Sequence, residues 1–461
     1  MIQDTRITKH CEGDRNGKYV VYWMQQSQRT NYNYALEFAI ERANLRRKQL
    51  LVVFGLTADY PEANERHYKF MLEGLVDVNR NLAKRNIGFE VLKGCPDEAI
   101  KSVIPDASEL IMDKGYMKIQ KVWRNNIKVW IKDKYPMDVF EVEGDVVVPI
   151  HIASGNLEYA ARTIRPKITK KLDEYLLTLS KRDIDIKWNT KIEAEKYDLN
   201  NIEKLLKILP LDRSVKGSDY YIGGEEKAHE VLNVFLNEKL KHYDVRNHPE
   251  YDYCSDMSPY LHFGQISVVE IAIWAKKTAR DKSISIESIE SFLEEIIVRR
   301  ELAMNYVYYN EDYDKFEGMT DNWAYETMKI HESDEREYIY SLEDLEEFKT
   351  HDKYWNASMK EMVITGKMHT YMRMYWCKKI IEWTKDYKTA YDYAIRLNNK
   401  YFIDGRDANS YTGVAWCFGK HDHGWKEREI FGKLRYMNAN GLKRKFDIEK
   451  YVEKVNRIGD L

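Results

Sequence analysis

The sequence predicts an α/β doubly wound parallel-sheet domain followed by an all-α domain. Three observations carry this. Over the first 150 residues, short β-branched and aromatic runs alternate with stretches of helical period, the pattern of a parallel sheet crossed by helices. From about residue 221 onward nearly every stretch has helical period. A chain of 461 residues, 44% of them hydrophobic, is too long for one simple core.

The elements follow in order. YVVYWM (19–24) and QLLVVFGL (49–56) read as buried strands on either side of the helical stretch NYALEFAIERANLRR (33–47). NERHYKFMLEGLVDVNRNLAKR (64–85) is a long amphipathic helix, IGFEVLKG (87–94) a strand and PDEAIKSVI (96–104) a short helix. ELIMD (109–113) and MDVFEVEGDVVVP (137–149) supply further strands around a helix near 117–133. Residues 1–150 are therefore the α/β domain, and its ligands are expected at the carboxyl ends of the strands. Residues 151–220, with the basic stretches RTIRPKITKK and SKRDIDIKW, read as an interdomain linker with short helices. Residues 221–461 form the all-α domain, whose helices include ISVVEIAIWAKKTAR, ESIESFLEEIIVRRELAMNYVYY and TYMRMYWCKKIIEWT.

Several classes are excluded. There is no run of 18 apolar residues to span a membrane and no apolar segment near the N-terminus to act as a secretory leader. Cys11, Cys95, Cys254, Cys377 and Cys417 are scattered, with no CxxC pair, so a disulfide framework or zinc ribbon is not expected and a reducing cytoplasm fits. Neither GxGxxG nor a P-loop occurs. The net charge of −2 conceals strong local polarity: residues 311–347 carry 14 acids against 3 bases, residues 411–461 carry 11 bases against 7 acids, and residues 161–191 carry 9 bases against 4 acids. Such runs suit solvated helix faces, and the basic ones also suit a polyanion.

Four stretches carry chemistry. In YDVRNHPEYDYCSDMSPYLHFGQIS (243–267), Ser255 and Ser258 with nearby backbone N–H groups can hold a phosphate, or simply cap a helix that starts at a proline. In FLEEIIVRRELAMN (292–305), the acids Glu294, Glu295 and Glu301 and the bases Arg299 and Arg300 lie on an apolar helix, where charges must be paired or functional. Glu295 and Arg299 are spaced i,i+4, a self-sufficient ion pair. In MHTYMRMYWCKKI (368–380), His369, Arg373, Trp376 and Ile380 share one face, and Trp376 and Trp383 stand roughly 10 Å apart along the axis. A packed aromatic core is the usual meaning of such a stripe. In LNNKYFIDGRDANSYTGVAWCFGKHDHGWKEREIFGKLRYM (397–437), Trp425, Phe431 and Tyr436 are interleaved among bases, as suits nucleic acid. His421, Asp422 and His423 lack a third ligand spaced for a metal, so none is expected.

Taken together and in this order, the four stretches resemble the photolyase/cryptochrome superfamily, and most of all the class II cyclobutane pyrimidine dimer photolyases. RNHP followed by SPYLHFGQIS, EEIIVRREL, YMRMYWCKKI with EWT, DGRDAN, and HDHGWKEREIFGKLRYM carry the resemblance. WMQQSQRTNYNYAL near the N-terminus extends it over nearly the whole chain. The resemblance implies FAD, active in its reduced form, in the helical domain. Tyr243 and the stretch Cys254, Ser255, Asp256, Met257 and Ser258 would hold its phosphates. Arg373 and Asp404 would form a salt bridge over the isoalloxazine, and Arg299 and Asp407 complete the cofactor set. An asparagine would face flavin N5, Asn398 by position and Asn409 second.

The resemblance also implies that Trp376, Trp355 and Trp383 pass electrons from the surface to the flavin. Met374 and Trp416 would pack against the damaged bases, and Glu295, protonated or hydrogen-bonded, would hydrogen-bond the dimer. Arg246, Asn247, Lys420, Arg428, Lys433 and Arg435 would meet the DNA backbone. The implied reaction is light-driven electron transfer from reduced FAD to a flipped-out dimer in UV-damaged DNA. An antenna chromophore, a deazaflavin or a folate, would sit in the α/β domain. A monomer is expected, in the cytoplasm and on the nucleoid if prokaryotic. Asp256 and Met257 depart from the family pattern, because an acid beside the phosphates is unexpected, and Thr370 stands where glycine is common. A cryptochrome-like photoreceptor would bind FAD without repair, a (6-4) photolyase would show a histidine pair such as His262 and His369 at the lesion, and a non-catalytic nucleic-acid-binding protein would lack flavin.

Overall fold

The computed structural model describes residues 2–459. Its sheet has seven strands: β1 Ile7–Cys11, β2 Tyr19–Trp23, β3 Gln49–Leu56, β4 Gly88–Lys93, β5 Ala107–Asp113, β6 Asp138–Val142 and β7 Lys196–Tyr197. Their spatial order is β1-β6-β5-β2-β3-β4-β7. The five central strands are parallel, and β1 and β7 close the two edges antiparallel. The chain leaves β2 in one direction for β3 and β4, then returns to β5 and β6 on the other side, so the winding reverses between β2 and β5. β2 and β5 are buried along their whole length, which is why they read as continuous apolar runs.

The edges differ from the sequence expectation. β1 (ITKHC) is mostly exposed and has one neighbour, so its polar pattern gives no strand signal. β7 is two residues long and comes from the segment read as a linker. The apolar run expected as strand to residue 149 leaves the sheet at Val142. Val146, Val147 and Val148 are buried instead between the sheet and the helices, where Arg6 donates to the Val146 and Val147 carbonyls (3.1 and 2.6 Å).

One core runs through both parts: Val20 and Tyr22 of β2 belong to the same apolar cluster as Ile271 and Phe292 of the helical region. Polar ties cross the same boundary. The Glu225 carboxylate accepts from Thr30 N and Asn31 N (2.9 and 2.7 Å). Arg66 donates to the Tyr401 and Val363 carbonyls (2.8 and 2.6 Å), capping the ends of two helices.

The helix expected over 287–309 is continuous, but it widens. Ile286–Leu293 is α-helical, Glu294–Arg299 is a π turn, and Arg300–Tyr309 is α-helical again. Such turns are frequently found at functional sites.

Candidate functional site

The π turn changes which charges meet. With five residues between bonded groups, Arg299 comes over Glu294 (3.1 Å), so the i,i+4 pair Glu295–Arg299 does not form. Arg299 also lies over the Trp416 ring at 5.0 Å, and Glu294 takes a second arginine, Arg165, at 2.7 Å. Glu295 is released to pair with Arg246 at 2.7 Å. It is 38% exposed and hydrogen-bonded to that arginine, so it is not the buried acid expected. Arg246 itself donates to Ser291 Oγ (2.6 Å) and lies over the buried Tyr243 ring at 4.8 Å. Asn247, its neighbour, is exposed.

The helix Thr370–Glu382 presents the next group. His369 caps it, accepting from Tyr371 N (3.3 Å) while its Nε2–H donates to the Arg246 carbonyl (2.9 Å). Burial pushes the His369 pKa down to about 4, so the ring is neutral near pH 7 and this tautomer is fixed. Four residues on, Arg373 donates to both carboxylate oxygens of Asp404 (2.8 and 3.0 Å), with its guanidinium 3.8 Å from the centre of the Phe402 ring. Burial alone would raise the Asp404 pKa; Arg373 and the Ser258 hydroxyl outweigh it and hold the carboxyl below its usual range.

Asp256 has a left-handed backbone (φ 59°) and sits between two lysines, Lys239 at 3.2 Å and Lys367 in a short contact. The acid that the sequence places oddly is thus committed to two cations, which keep its pKa below the ordinary value against the upward push of burial. Sequence reasoning missed both lysines, because neither lies near Asp256 in the chain. Ser258 opens the helix Ser258–His262, with Pro259 in its first turn. Met257 is buried, and Cys254 and Ser255 are partly exposed.

Asp407 caps the helix Ala408–Cys417, accepting from Asn409 N (2.8 Å), and contacts His262 Nδ1 at 3.0 Å. Burial would raise the Asp407 pKa, but His262 and the backbone N–H hold it well below the usual carboxylate range. His262 is therefore tied to Asp407, and His369 to a backbone carbonyl. Asn398 is buried and donates to Asn399 Oδ1 (3.0 Å), whereas Asn409 is exposed.

Three tryptophans form a file. The Trp355 indole N–H donates to the Trp376 carbonyl (3.0 Å), and the Trp355 and Trp383 rings are 5.8 Å apart, tilted at 67°. All three are buried, and the Trp376 indole N–H has no partner among the described residues. Trp383 adjoins His351 (5.1 Å), on which the exposed Tyr338 stacks at 3.8 Å. Met374 and Trp416 are half-buried.

Of the residues expected at a DNA backbone, Arg428 and Lys433 are exposed and Arg435 is half-buried. Lys420 is corrected: it is 4% exposed and paired with Asp321 at 2.9 Å, so it braces the fold. His421 is buried against the Tyr159 carbonyl (2.6 Å). No group of three or more His, Cys, Asp or Glu among the described residues is arranged to hold a metal ion.

A cavity opens at the carboxyl ends of the parallel strands. Phe54, Tyr60 and Trp123 wall it, with Gln25, Arg124 and Arg406 as polar lining. It reaches Asp407 and His262, so it adjoins the helical site. The guanidiniums of Arg124 and Arg406 are buried and lie against backbone carbonyls, Asp113 and Gln120 for the first and Asn399 (2.7 Å) for the second.

The DNA photolyase family model matches residues 20–184 of this chain. The chain is 46% identical over 455 residues to the deoxyribodipyrimidine photo-lyase of Methanothermobacter thermautotrophicus, covering 97% of each. It is 41% identical to that of Arabidopsis thaliana, covering 95% of this chain and 89% of the relative. The chain belongs to the DNA photolyase family within the photolyase/cryptochrome superfamily. Its fold is similar to that of a class III photolyase from Agrobacterium tumefaciens (TM-score 0.75, 18% identity, 96% of this chain and 87% of that one). It is also similar to that of a photolyase from Sulfolobus tokodaii solved with two FAD molecules (TM-score 0.70, 15% identity, 94% and 89%).

Proposed function

We propose that this chain is a class II photolyase that repairs cyclobutane pyrimidine dimers in UV-damaged DNA, under light, with reduced FAD as its resident cofactor. The observation that carries the reading is the Arg373–Asp404 pair on Phe402, with Trp376 on the helix of Arg373 and Trp355 and Trp383 continuing from it towards the surface. The class II motifs and the identity to deoxyribodipyrimidine photo-lyases along almost the whole chain support it.

The residues present fit FAD. Lys239 and Lys367 bring two cations beside the loop Cys254 to Ser258, where Asp256 and, for Lys239, Asp252 (2.9 Å) balance them. The Trp376 indole N–H, buried and unpartnered, is in the state expected of a donor that faces a ligand. Tyr243, Arg299, Arg373, Asp404 and Asp407 would line the flavin, and the buried Asn398 is a better amide for N5 than the exposed Asn409. When bound and reduced, the flavin supplies the light-driven electron that opens the cyclobutane ring.

The chain's own residues do the rest. A damaged pair costs less to unstack than an intact one, and photolyases are among the base-flipping enzymes. Met374 and Trp416 would sandwich the extruded dimer, with Trp416 held from behind by Arg299. Glu295, oriented by Arg246, would take a hydrogen bond from the dimer as a carboxylate. Trp383, Trp355 and Trp376 would carry an electron inward. Asn247, Arg428, Lys433 and Arg435 would meet phosphates, duplex or single-stranded, with the protein acting as a cytoplasmic monomer. The cavity at the carboxyl ends of β2 and β3 would seat an antenna chromophore, a deazaflavin or a folate, between its aromatic walls.

The test is one sample in two lights. Purified protein is reduced and mixed with a thymine-dimer oligonucleotide, in the dark and under blue light. Flavin absorption with light-dependent loss of the dimer is expected. Flavin absorption without repair would move the assignment to a photoreceptor, and a colourless protein would remove the cofactor.

A further inference from the structure

Residues 425–433 close a short hairpin on the surface of the helical region. Arg428 and Gly432 exchange backbone hydrogen bonds (3.0 and 2.7 Å), and Trp425 N donates to the Lys433 carbonyl (2.8 Å). The turn is strained. Ile430 has φ 61°, a left-handed conformation that a β-branched residue rarely takes. Strain of this kind persists only where the surroundings impose it. Three contacts do so here. Asp334 Oδ2 accepts from Ile430 N (2.7 Å), the Tyr387 hydroxyl donates to the Ile430 carbonyl, and Thr327 Oγ1 accepts from Lys433 N (2.9 Å). Gly432, at φ 50°, lets the chain lie directly on Thr327 and His331, where a Cβ would collide with both.

His331 joins these anchors to the hairpin. It follows the helix Asn322–Ile330, with its backbone N–H bonded to the Thr327 carbonyl (3.2 Å). Its Nδ1 meets Asp334 Oδ2 at 2.6 Å, and its Nε2 meets Glu427 Oε1 at 3.1 Å. An ionised carboxylate only accepts, so both ring nitrogens donate and the ring carries both protons. Behind Asp334 stands Arg336, which donates to the Asp334 carbonyl (2.7 Å) and lies over the Tyr387 ring at 5.6 Å. The Ile430 N–H and the imidazole hold the Asp334 carboxyl below its usual range. Asp334 and Glu427 raise the His331 pKa above its ordinary 6.5. The bridge is therefore complete below pH 6.5 and opens as pH rises through the raised value. On deprotonation one ring nitrogen turns a lone pair towards a carboxylate, and a hydrogen bond gives way to repulsion.

We infer that His331, as imidazolium, is a positioning residue that clasps the hairpin 425–433 to the turn at Asp334, in the pose that presents Arg428 and Lys433 to DNA. The inference rests on the repair reading for its partner. It adds a pH dependence to the dark, binding step that the flavin chemistry does not share.

The experiment compares the wild-type chain with His331→Gln and Glu427→Gln from pH 5.5 to 9. Glutamine at 331 carries no charge at any pH. The Glu427 side chain is 51% exposed, so replacing it leaves the interior untouched. Amide-exchange protection factors of the hairpin are read in the DNA-free protein, and binding of a dimer-containing duplex is read in the dark. In the wild type both are expected to fall by about fivefold as pH rises, the loss of one charge-assisted hydrogen bond screened by solvent. In both variants, protection and affinity at pH 6 are expected to match those of the wild type at pH 9 and to lack this step. Repair of a dimer-containing dinucleotide under light, which has no flanking backbone, is expected to be equal in the three proteins. A wild-type pH profile of hairpin protection in Glu427→Gln overturns the inference. So does a loss of protection with no change in duplex affinity. A wild-type protein that leaves the dinucleotide dimer intact removes the repair reading instead, and the protection factors still decide the clasp.

Discussion

Glu301 offers the most quantitative test of how the two parts of the molecule are joined. It sits near the start of the helix Arg300–Tyr309, 3% exposed, and Oε1 accepts from Val147 N and Val148 N (2.7 and 3.2 Å) where the chain leaves the sheet. Oε2 is buried with no partner among the described residues. Burial pushes its pKa from the ordinary 4.5 to about 8, against the pull of the two N–H groups and of Arg300 and Arg6. A carboxyl whose folded pKa lies above its unfolded one contributes stability below the unfolded value, and loses it as pH rises to the folded one. The window is therefore pH 4.5 to 8. At 1.36 kcal/mol per unit, folding loses about 5 kcal/mol across the window and about 3 kcal/mol by pH 7. Glu301→Gln keeps the accepting oxygen and removes the titration. Urea denaturation at pH 5, 7 and 9 should find the variant within ~1 kcal/mol of wild type at pH 5 and several kcal/mol more stable at pH 9. Stability curves that run parallel from pH 5 to 9 would refute the reasoning.

Other outcomes follow from the same kind of accounting. His369 and His421 both have pKa values lowered by burial to about 4, so their stabilising neutral forms are lost as pH falls from 6.5 towards 4, at up to about 3 kcal/mol each; the urea midpoint should drop over that range, and the drop should shrink in His421→Gln. Asp256→Asn keeps a residue that tolerates a positive φ but leaves the half-buried Lys367 without its carboxylate, so unfolding free energy should fall by about 2 kcal/mol; a loss under 1 kcal/mol would mean that Lys367 finds another partner. Trp355→Phe interrupts the file between Trp376 and Trp383, so bleaching of the oxidised flavin under blue light should slow at least tenfold while chemically reduced protein still repairs at the wild-type rate.

The parts of this molecule legible in its sequence are those in which neighbours in the chain are also neighbours in space. β2, β3 and β5 announce themselves because both faces are covered and every residue must be apolar. β1 is silent because an edge strand with one wet face needs no pattern. Charge pairing fails for a related reason. Helical spacing predicts Glu295 with Arg299, but one π turn shifts the register by a residue, and Arg299 passes to Glu294 while Glu295 passes to Arg246, 49 residues away. Asp256 looks misplaced until Lys239 and Lys367 arrive from elements far along the chain. Lys420 belongs by sequence to a basic surface and by structure to the interior, because Asp321 lies 99 residues earlier. The same logic explains why the motifs outperform the physics of any one segment. Each motif fixes one element, and a site assembled from the loop before Ser258, the π turn, the helix of Arg373 and the turn at Asp404 depends on all of them being present in order. Individually, each stretch is equally well explained by capping, ion pairing or packing. Their combination is what a core helix has no reason to show, and it brings Arg373, paired with Asp404, and Trp376 onto the helix Thr370–Glu382, with Trp355 and Trp383 beside them.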